Sequence, residues 1–198
     1  MSRFDDLLLA YTHAKSQAER QTLEQCLWGE FGTTGAVFVL DMSRFSLLTQ
    51  RHGIVYYLSM VRNMQIIVQP IIAHHAGYLM KFEADNCFAR FSKVADAIQA
   101  GVQINHDLDA ANRIAPEAAD IRVACGIDYG DFLLPHDNEF FGDPVNRASK
   151  LGEDLGEAGE ILVTSEAMAQ VDKNARLQHE AMHFSISGIH LDAYRISY

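Results

Sequence analysis

Two aspartates follow strand-like stretches of the sequence and are the first candidates for chemistry. Asp41 directly follows the apolar run Ala36–Leu40, and Asp85 lies in the turn of a β-hairpin predicted over Gly77–Phe91. A short continuous apolar run is typical of a buried central strand. If that strand and the hairpin are neighbours, the two carboxylates converge, and convergent carboxylates with room for phosphate oxygens suit Mg²⁺ or Mn²⁺. Two ions held this way can stabilise the attacking and leaving oxygens of an in-line displacement at phosphorus.

The hairpin that contains Asp85 also carries a lysine. Aromatic residues favour strands over Tyr78–Phe82 and Cys87–Phe91, and the Asp-Asn dipeptide favours a turn over Ala84–Asn86. Lys81 lies within the first of these strands, and a charge placed beside an apolar core needs a partner or a ligand. Lys81 and Asp85 are therefore candidate ligand-binding residues, and a solvated hairpin tip is the alternative for Asp85.

A helix is predicted to begin just after Asp41. Ser43 is a candidate N-cap for a helix that extends to about Gln50. The free N–H groups at a helix start bind phosphate oxygens well, and here they lie next to a candidate metal-binding carboxylate. The segment Met42–Phe45 is thus a candidate phosphate loop. A simple capping role is the alternative for Asp41.

The remaining pattern predicts one α+β domain behind a helical extension. An amphipathic helix is predicted over residues 5–31 and ends at Gly32–Gly35, so we assign residues 1–35 to the extension and 36–198 to the main domain. The order β–α–α–β–β–α–β–(β)–α–β predicts a ferredoxin-like, palm-type sandwich, with a mostly antiparallel sheet and helices on one face. The other predicted helices cover residues 54–75, 93–113 and 143–154, and the other strands cover residues 121–132, 160–164 and two stretches of 181–198.

The long helix over residues 54–75 has one apolar stripe and one proline. Pro70 predicts a kink, because proline removes a helical hydrogen bond and crowds the preceding turn. The positions predicted to face the core are Val55, Leu58, Val61, Met64, Val68 and Ile72.

Length and composition limit the classes of function. The chain has 198 residues and a net charge of −10, which suits one soluble domain and makes non-specific binding to nucleic acid or membrane surfaces unfavourable. No apolar run reaches the length of a membrane span. The three cysteines are odd in number and lack metal-ligand spacing, so a reducing, cytoplasmic setting is expected.

Four motifs in order carry a family resemblance. They read VLDMSRFSLL, KFEAD, GIDYG and EFFGDPVNRASKLGE, and they lie between about Ala36 and Tyr198. Together they resemble the catalytic domain of class III nucleotidyl cyclases, the adenylate and guanylate cyclases. The resemblance implies conversion of a nucleoside triphosphate to its 3′,5′-cyclic nucleotide and pyrophosphate, in second-messenger signalling. It also implies two Mg²⁺ or Mn²⁺ ions per site and a homodimer with active sites shared across the interface.

The same resemblance implies a role for each candidate residue on the metal and phosphate side. Asp41 and Asp85 fall where the family holds its two metal ions. The backbone of Met42, Ser43, Arg44 and Phe45 falls where the triphosphate is bound. Ala124 stands where many members carry a phosphate-binding arginine, and Arg122, two residues earlier, is expected to replace it.

The resemblance also implies residues for the base, the ribose and the transition state. Lys81 and Glu139 fall on the pair that reads the purine, and this pair favours ATP over GTP. Asn146 falls on the ribose-orienting asparagine. Lys150 falls on the transition-state arginine, so the charge is kept but the bidentate fork is lost. Arg147, one turn before Lys150, is interpreted as a surface residue.

Two alternatives remain open beside an adenylate cyclase. The changes at Ala124 and Lys150 are also compatible with a degenerate module that binds nucleotide without turnover, or with a cyclase that acts on another base. A diguanylate cyclase is disfavoured, because its Gly-Gly-acidic-acidic-Phe turn is absent and the hairpin turn reads Glu-Ala-Asp-Asn.

Overall fold

One sheet organises the part of the chain that the computed structural model describes, residues 2–43, 45–114, 120–136, 138–172, 177–186 and 189–198. The side chains of residues 45–48, 186 and 189 are outside this description. The sheet has the strand order β2-β3-β1-β4-β6-β8-β7, and β5 pairs with β4. The strands are β1 (Gly32–Met42), β2 (Tyr78–Glu83), β3 (Asn86–Phe91), β4 (Val123–His136), β5 (Glu139–Phe141), β6 (Ile161–Thr164), β7 (Gln178–Ile186) and β8 (Ile189–Ser197).

The predicted order of elements is confirmed, and so is a mostly antiparallel sheet. Only the β4–β6 pair is parallel among the described strands. The helices are α1 (Arg3–His13), α2 (Gln17–Phe31), α3 (Phe45–His52), α4 (Ile54–His74), α5 (Val94–Asn112), α6 (Asp143–Ser149) and α7 (Ser165–Met168), and a π-helix (Lys150–Leu155) continues from α6.

Helices cover both faces of the sheet, so the prediction of helices on one face is wrong. Phe38 and Leu40 of β1 pack into the main core beneath α4 and α5. The alternate residues Val37 and Val39 pack on the opposite face, where Ala148 of α6 joins them. This arrangement explains the continuous apolar run of β1, since a strand buried on both faces has no polar side to display.

Two glycines let the α6–π-helix segment lie directly on the sheet. A Cβ atom at Gly126 of β4 would lie 2.1 Å from the carbonyl oxygen of Ala148 and 2.5 Å from the amide nitrogen of Gly152. A Cβ atom at Gly152 would lie 2.8 Å from the carbonyl oxygen of Val39. Because all these neighbours are backbone atoms, any side chain at either glycine would displace the segment from the sheet.

The single helix predicted over residues 5–31 is in fact two helices. The first helix ends at His13. The Ser16 side chain accepts a hydrogen bond from the Glu19 amide and so caps the start of α2. Phe4, Leu7 and Leu27 are buried between the two helices. The strand β1 begins at Gly32 and pairs with β4 there, so the predicted boundary at residue 35 falls inside a central strand.

The apolar stripe of α4 was predicted only in part. Val55 is 78% exposed and Leu58 is 55% exposed, so these two assignments to the core are wrong. Tyr57 and Met60 are buried instead, and they continue the stripe formed by the correctly predicted residues Val61, Met64, Val68 and Ile72. The buried stripe therefore does not include Val55 at the start of the helix. The sequence does not show this, because the residues at the start of the helix are nearly all apolar. The helix continues through Pro70 to His74.

An alanine ends α4 in a conformation that favours glycine. Ala76 has φ 56°, in the left-handed region. The Gly77 amide donates to the Ile72 carbonyl at 2.9 Å and the Ala76 amide donates to the Ala73 carbonyl at 3.1 Å, which is the hydrogen-bond pattern of a Schellman motif.

We expect Ala76→Gly to raise the free energy of unfolding by about 0.5 kcal/mol. The left-handed conformation costs an L-residue roughly 1–2 kcal/mol, and the extra freedom of an unfolded glycine offsets about 0.4–1 kcal/mol of the gain. Equilibrium unfolding in urea measures the change. The matched control is Ala73→Gly in the last helical turn, which should lower stability by about 1 kcal/mol. Equal destabilisation by both substitutions would contradict this account of the cap.

Candidate active site

The two candidate metal-binding aspartates lie together at one end of the sheet. Asp41 is the penultimate residue of β1 and faces Ala124 across the β1–β4 pair. Leu40 pairs with Cys87, so the β2–β3 turn that contains Asp85 lies beside the end of β1. Burial, and then the charge of Asp85, raises the pKa of Asp41 to about 7. The predicted convergence of these carboxylates is therefore a property of the fold.

The charge around Asp41 and Asp85 fits a bound cation. Among the described residues, no lysine, arginine or histidine forms a salt bridge with either carboxylate. Nor does any group of three His, Cys, Asp or Glu side chains form a metal cluster in that part of the chain. Two carboxylates without a protein counter-charge suit Mg²⁺ or Mn²⁺, which keep several water and phosphate ligands.

Two residues that the sequence did not single out lie at this site. The hydroxyl of Tyr57 lies in the field of both carboxylates, and burial together with Asp85 raises the pKa of Tyr57. The pKa of Glu153 is raised, first by partial burial and then by the charges of neighbouring carboxylates that include Asp85. Tyr57 belongs to the buried stripe of α4 and carries a polar hydroxyl. A polar group within an apolar stripe is the feature of the sequence that could have identified it. Glu153 carried no such signal, because the π-helix sets its direction.

The hairpin turn contains a second alanine with positive φ. Ala84 has φ 52°, in the left-handed region that favours glycine, and directly precedes Asp85. Hydrogen-bonded pairing of Glu83 with Asn86 closes the turn around these two residues. The turn thus keeps its glycine-like shape without glycine, and Asp85 stays at its tip.

The predicted phosphate loop is only partly within the described residues. Met42 is buried at the end of β1, and the Ser43 amide donates to the Arg122 carbonyl at 2.9 Å. Arg44 and the side chain of Phe45 lie outside the described part of the chain, and α3 begins at Phe45. The Ser43 N–H is therefore already bound to backbone, and the remaining N–H groups of the loop are the candidates for phosphate.

The Arg122 side chain is directed towards α5. Its guanidinium lies 3.5 Å from Asp109 and 3.8 Å from Asp120, and it is partly exposed. Its backbone nevertheless adjoins Ser43 of the phosphate loop. A role on the triphosphate requires the side chain to exchange its two carboxylate partners for phosphate.

The structure places Lys81 and Glu139 on connected elements but not in contact. Lys81 forms an ion pair with Glu83 and lies over the Phe88 ring, 5.1 Å from its centroid. Phe88 packs edge-to-face against Phe140, with ring centroids 6.3 Å apart. Glu139 directly precedes Phe140 and is exposed. The rings of Phe88 and Phe140 therefore connect the two strands that carry the candidate base-reading residues.

Asn146 and Lys150 lie one helical turn apart, at the junction of α6 and the π-helix. Asn146 is exposed and Lys150 is partly buried. The interpretation of Arg147 as a surface residue is wrong, because its Nε donates to Oδ2 of the fully buried Asp128 at 2.6 Å. Arg147 faces the sheet, so the cation that remains available on this segment is Lys150.

The sequence is similar to that of one curated protein. "Putative adenylate cyclase 3" of Rhizobium meliloti (strain 1021) is 25% identical over 129 residues, 65% of this chain. The match spans 22% of that protein, so the chain corresponds to about a fifth of the length of its relative. No protein-family model matches the sequence.

Solved structures share the fold across most of the chain. The adenylate/guanylate cyclase/hydrolase from Silicibacter pomeroyi aligns with a TM-score of 0.71 at 22% identity, over 83% of this chain and 96% of that one. The adenylyl cyclase CyaB from P. aeruginosa aligns with a TM-score of 0.70 at 19% identity, over 84% and 96%. The guanylate cyclase domain of RhGC from Catenaria anguillulae, in complex with GTP, aligns with a TM-score of 0.69 at 15% identity, over 83% and 96%.

None of the helices described is both long and apolar enough to cross a membrane. The predicted α+β fold is confirmed by the order of strands and by these structural relatives. The four motifs, the converging aspartates and the shared architecture agree, and the chain has the catalytic-domain fold of the class III adenylate and guanylate cyclases.

Proposed function

We propose that the protein is a nucleotidyl cyclase that converts ATP to 3′,5′-cyclic AMP and pyrophosphate. The observation that carries the proposal is the pair Asp41 and Asp85, which converge at the end of β1 on a cyclase fold and have no salt-bridge partner among the described residues. A purely structural pair of like charges would cost stability, whereas a cation site explains why both are there.

Asp41 and Asp85 hold the divalent cations in this proposal. When bound, Mg²⁺ or Mn²⁺ neutralises phosphate charge and acidifies the ribose 3′-hydroxyl. The 3′-oxygen loses its proton to solvent and forms a bond to the α-phosphorus, while the bond from the α-phosphorus to the pyrophosphate oxygen breaks. Asn146 orients the ribose and Lys150 stabilises the negative charge that develops on the phosphorus oxygens. Catalysis then rests on positioning and charge stabilisation.

ATP is the proposed substrate because of Lys81 and Glu139. The lysine ammonium donates to adenine N1, and the glutamate accepts from the adenine amino group. Lys81 is half-exposed and its present partner Glu83 is more exposed, so this ion pair is weak and the ammonium is available to a base. A cytoplasmic location and a role in second-messenger signalling stay predictions.

The separation of Asn146 from Asp41 within one chain supports a homodimer with shared sites. Arg147, next to Asn146, binds Asp128, and Asp128 faces Val37 across the β1–β4 pair. Val37 lies four residues before Asp41, which is about 13 Å along a strand. Asn146 therefore lies beside the middle of β1 and not beside Asp41, and a second copy that supplies Asn146 across a two-fold axis would complete the site.

Turnover is expected with ATP and Mn²⁺, and either Asp41→Asn or Asp85→Asn should reduce it below about 10% of the wild-type rate, because each removes a metal-binding charge. Incubation with each of the four nucleoside triphosphates and mass spectrometry of the products measures this. Asp107→Asn on the exposed face of α5 is the matched control and should retain full activity.

The same experiment separates the alternatives. A cyclic product from GTP alone would identify a guanylate cyclase, and nucleotide binding without any product would identify a degenerate signalling module. In metal-free protein, Asp41→Asn should also raise the melting temperature, since it removes a charge that burial and Asp85 disfavour. An active Asp41→Asn enzyme would contradict the assignment of the metal site.

Exchange of Lys81 for Glu together with Glu139 for Cys should lower the rate with ATP relative to GTP by at least about 10-fold. Each misplaced donor or acceptor costs about 1–3 kcal/mol in the bound complex. Competition between the two nucleotides, followed by product quantification, gives the ratio directly. Glu83→Gln is the control, because it removes the present partner of Lys81 without changing the base-reading pair. An unchanged ratio in the double variant would show that these residues do not read the base.

Mixing Asp41→Ala and Asn146→Ala homodimers should restore about a quarter of wild-type activity, although each homodimer alone is nearly inactive. Random exchange makes about half the dimers mixed, and each mixed dimer has one intact and one doubly defective site. Mass-tagged subunits establish the extent of exchange. Complete exchange without recovered activity would contradict the shared site, and so would recovery before exchange has begun.

A further inference from the structure

Asp128 is a fully buried carboxylate with a complete set of partners. Its Oδ1 accepts from the Tyr129 amide at 2.7 Å and from the Thr164 hydroxyl, and its Oδ2 accepts from Nε of Arg147 at 2.6 Å. Burial raises the pKa of Asp128, and its bonds to Thr164 and Arg147 oppose that rise. A buried charge is tolerated in a protein only with such pairing, so these contacts are specific rather than incidental.

The partners of Asp128 come from three different elements. Asp128 belongs to β4, Arg147 belongs to α6, and Thr164 ends β6 and caps α7 through the Ala167 amide at 3.2 Å. Among the described residues, the Arg147–Asp128 bond is the sole ion pair between α6 and the sheet. The cluster therefore fixes one short helix against two neighbouring strands.

The α6 helix depends on such tertiary contacts. It has seven residues, and Gly142 at its start gives no side-chain cap. Helices of this length are unstable in isolation, and packing decides their orientation. Pro144 and Ala148 are buried on the inner side, but apolar contacts alone set the rotation of a helix less sharply than a directional ion pair does.

We infer that Arg147 is a positioning residue, which through Asp128 fixes the rotation of α6 so that Asn146 and Lys150 face the nucleotide. Arg147 points into the sheet, while Asn146 immediately before it, about 100° around the helix axis, is exposed. Lys150 follows three residues later at the start of the π-helix. This inference rests on the proposed function, since Asn146 and Lys150 carry their roles from it.

Arg147 is expected to act by holding Asn146 and Lys150 in place before the nucleotide reacts. A displacement of about 1 Å in a catalytic group can lower the rate about 100-fold with little effect on binding. Asn146 and Lys150 act on the ribose and on charge that develops in the transition state, so a loosened helix should lower kcat more than it raises KM. Lys81 and Glu139 lie on other elements and are expected to keep nucleotide affinity.

The test uses Arg147→Met in the full-length protein, with Arg147→Lys as the conservative variant. Amide hydrogen exchange over residues 143–149 is measured without nucleotide, and kcat and KM are measured with ATP and Mn²⁺. For Arg147→Met we expect at least about 10-fold faster exchange in α6, at least about 10-fold lower kcat and less than about 3-fold higher KM. Arg147→Lys should recover part of both kcat and protection. If Arg147→Met does not fold, the double variant Asp128→Asn with Arg147→Met is tested in its place, because Asp128→Asn removes the unpaired buried charge.

The matched control is Arg195→Met, which removes a second arginine–carboxylate pair far from α6. Arg195 lies 2.8 Å from Glu160, and that pair joins β8 to the residue before β6. This variant should change neither exchange in α6 nor kcat.

Unchanged exchange in α6, or unchanged kcat in an active enzyme, would overturn the positioning role of Arg147. A fall in kcat of equal size in Arg195→Met would overturn it as well, because the effect would then be general destabilisation. A wild-type protein without turnover would instead contradict the proposed function, and the exchange measurement would still decide whether Arg147 holds α6.

Discussion

The contact between Gly126 and Gly152 is the constraint on which the rest of the site depends. It allows the α6–π-helix segment to touch the backbone of β1 and β4, closer than any pair of side chains would permit. With the segment at this height, Arg147 reaches Asp128 and Glu153 reaches the neighbourhood of Asp41. Two positions without side chains thus determine where the charged residues of the site lie.

Negative charge is in excess around the candidate active site, at the end of β1. Burial and neighbouring carboxylates raise the pKa of Asp41 and of Glu153, whereas no lysine or arginine among the described residues forms a salt bridge with Asp41 or Asp85. Arg147 and Arg122 are both engaged, and Lys150 forms no salt bridge within the described residues. Metal ions would supply positive charge beside these carboxylates, and a polyphosphate would pair with those ions and with Lys150.

The sequence was sufficient for the strands and for the two aspartates, because both follow from local patterns. An apolar run that ends in Asp41 and a hairpin with Asp85 in its turn need no long-range information. The break between α1 and α2 falls at Ser16, in a stretch over residues 12–22 that has no large apolar residue, and it was missed because a single capping side chain decides where α2 begins. The roles of Tyr57 and Arg147 depend on partners 28 and 19 residues away, and no local pattern reports such contacts.

The helical pair at the N-terminus packs against the short strand β5 of the sheet. Phe4 of α1 stacks on Phe141 of β5, with ring centroids 6.1 Å apart and planes within 7° of parallel. Phe141 lies two residues after Glu139 on the same short strand. Aromatic stacking stabilises this contact, so the positions of α1 and β5 depend on each other. The extension is therefore packed against the short strand that carries Glu139.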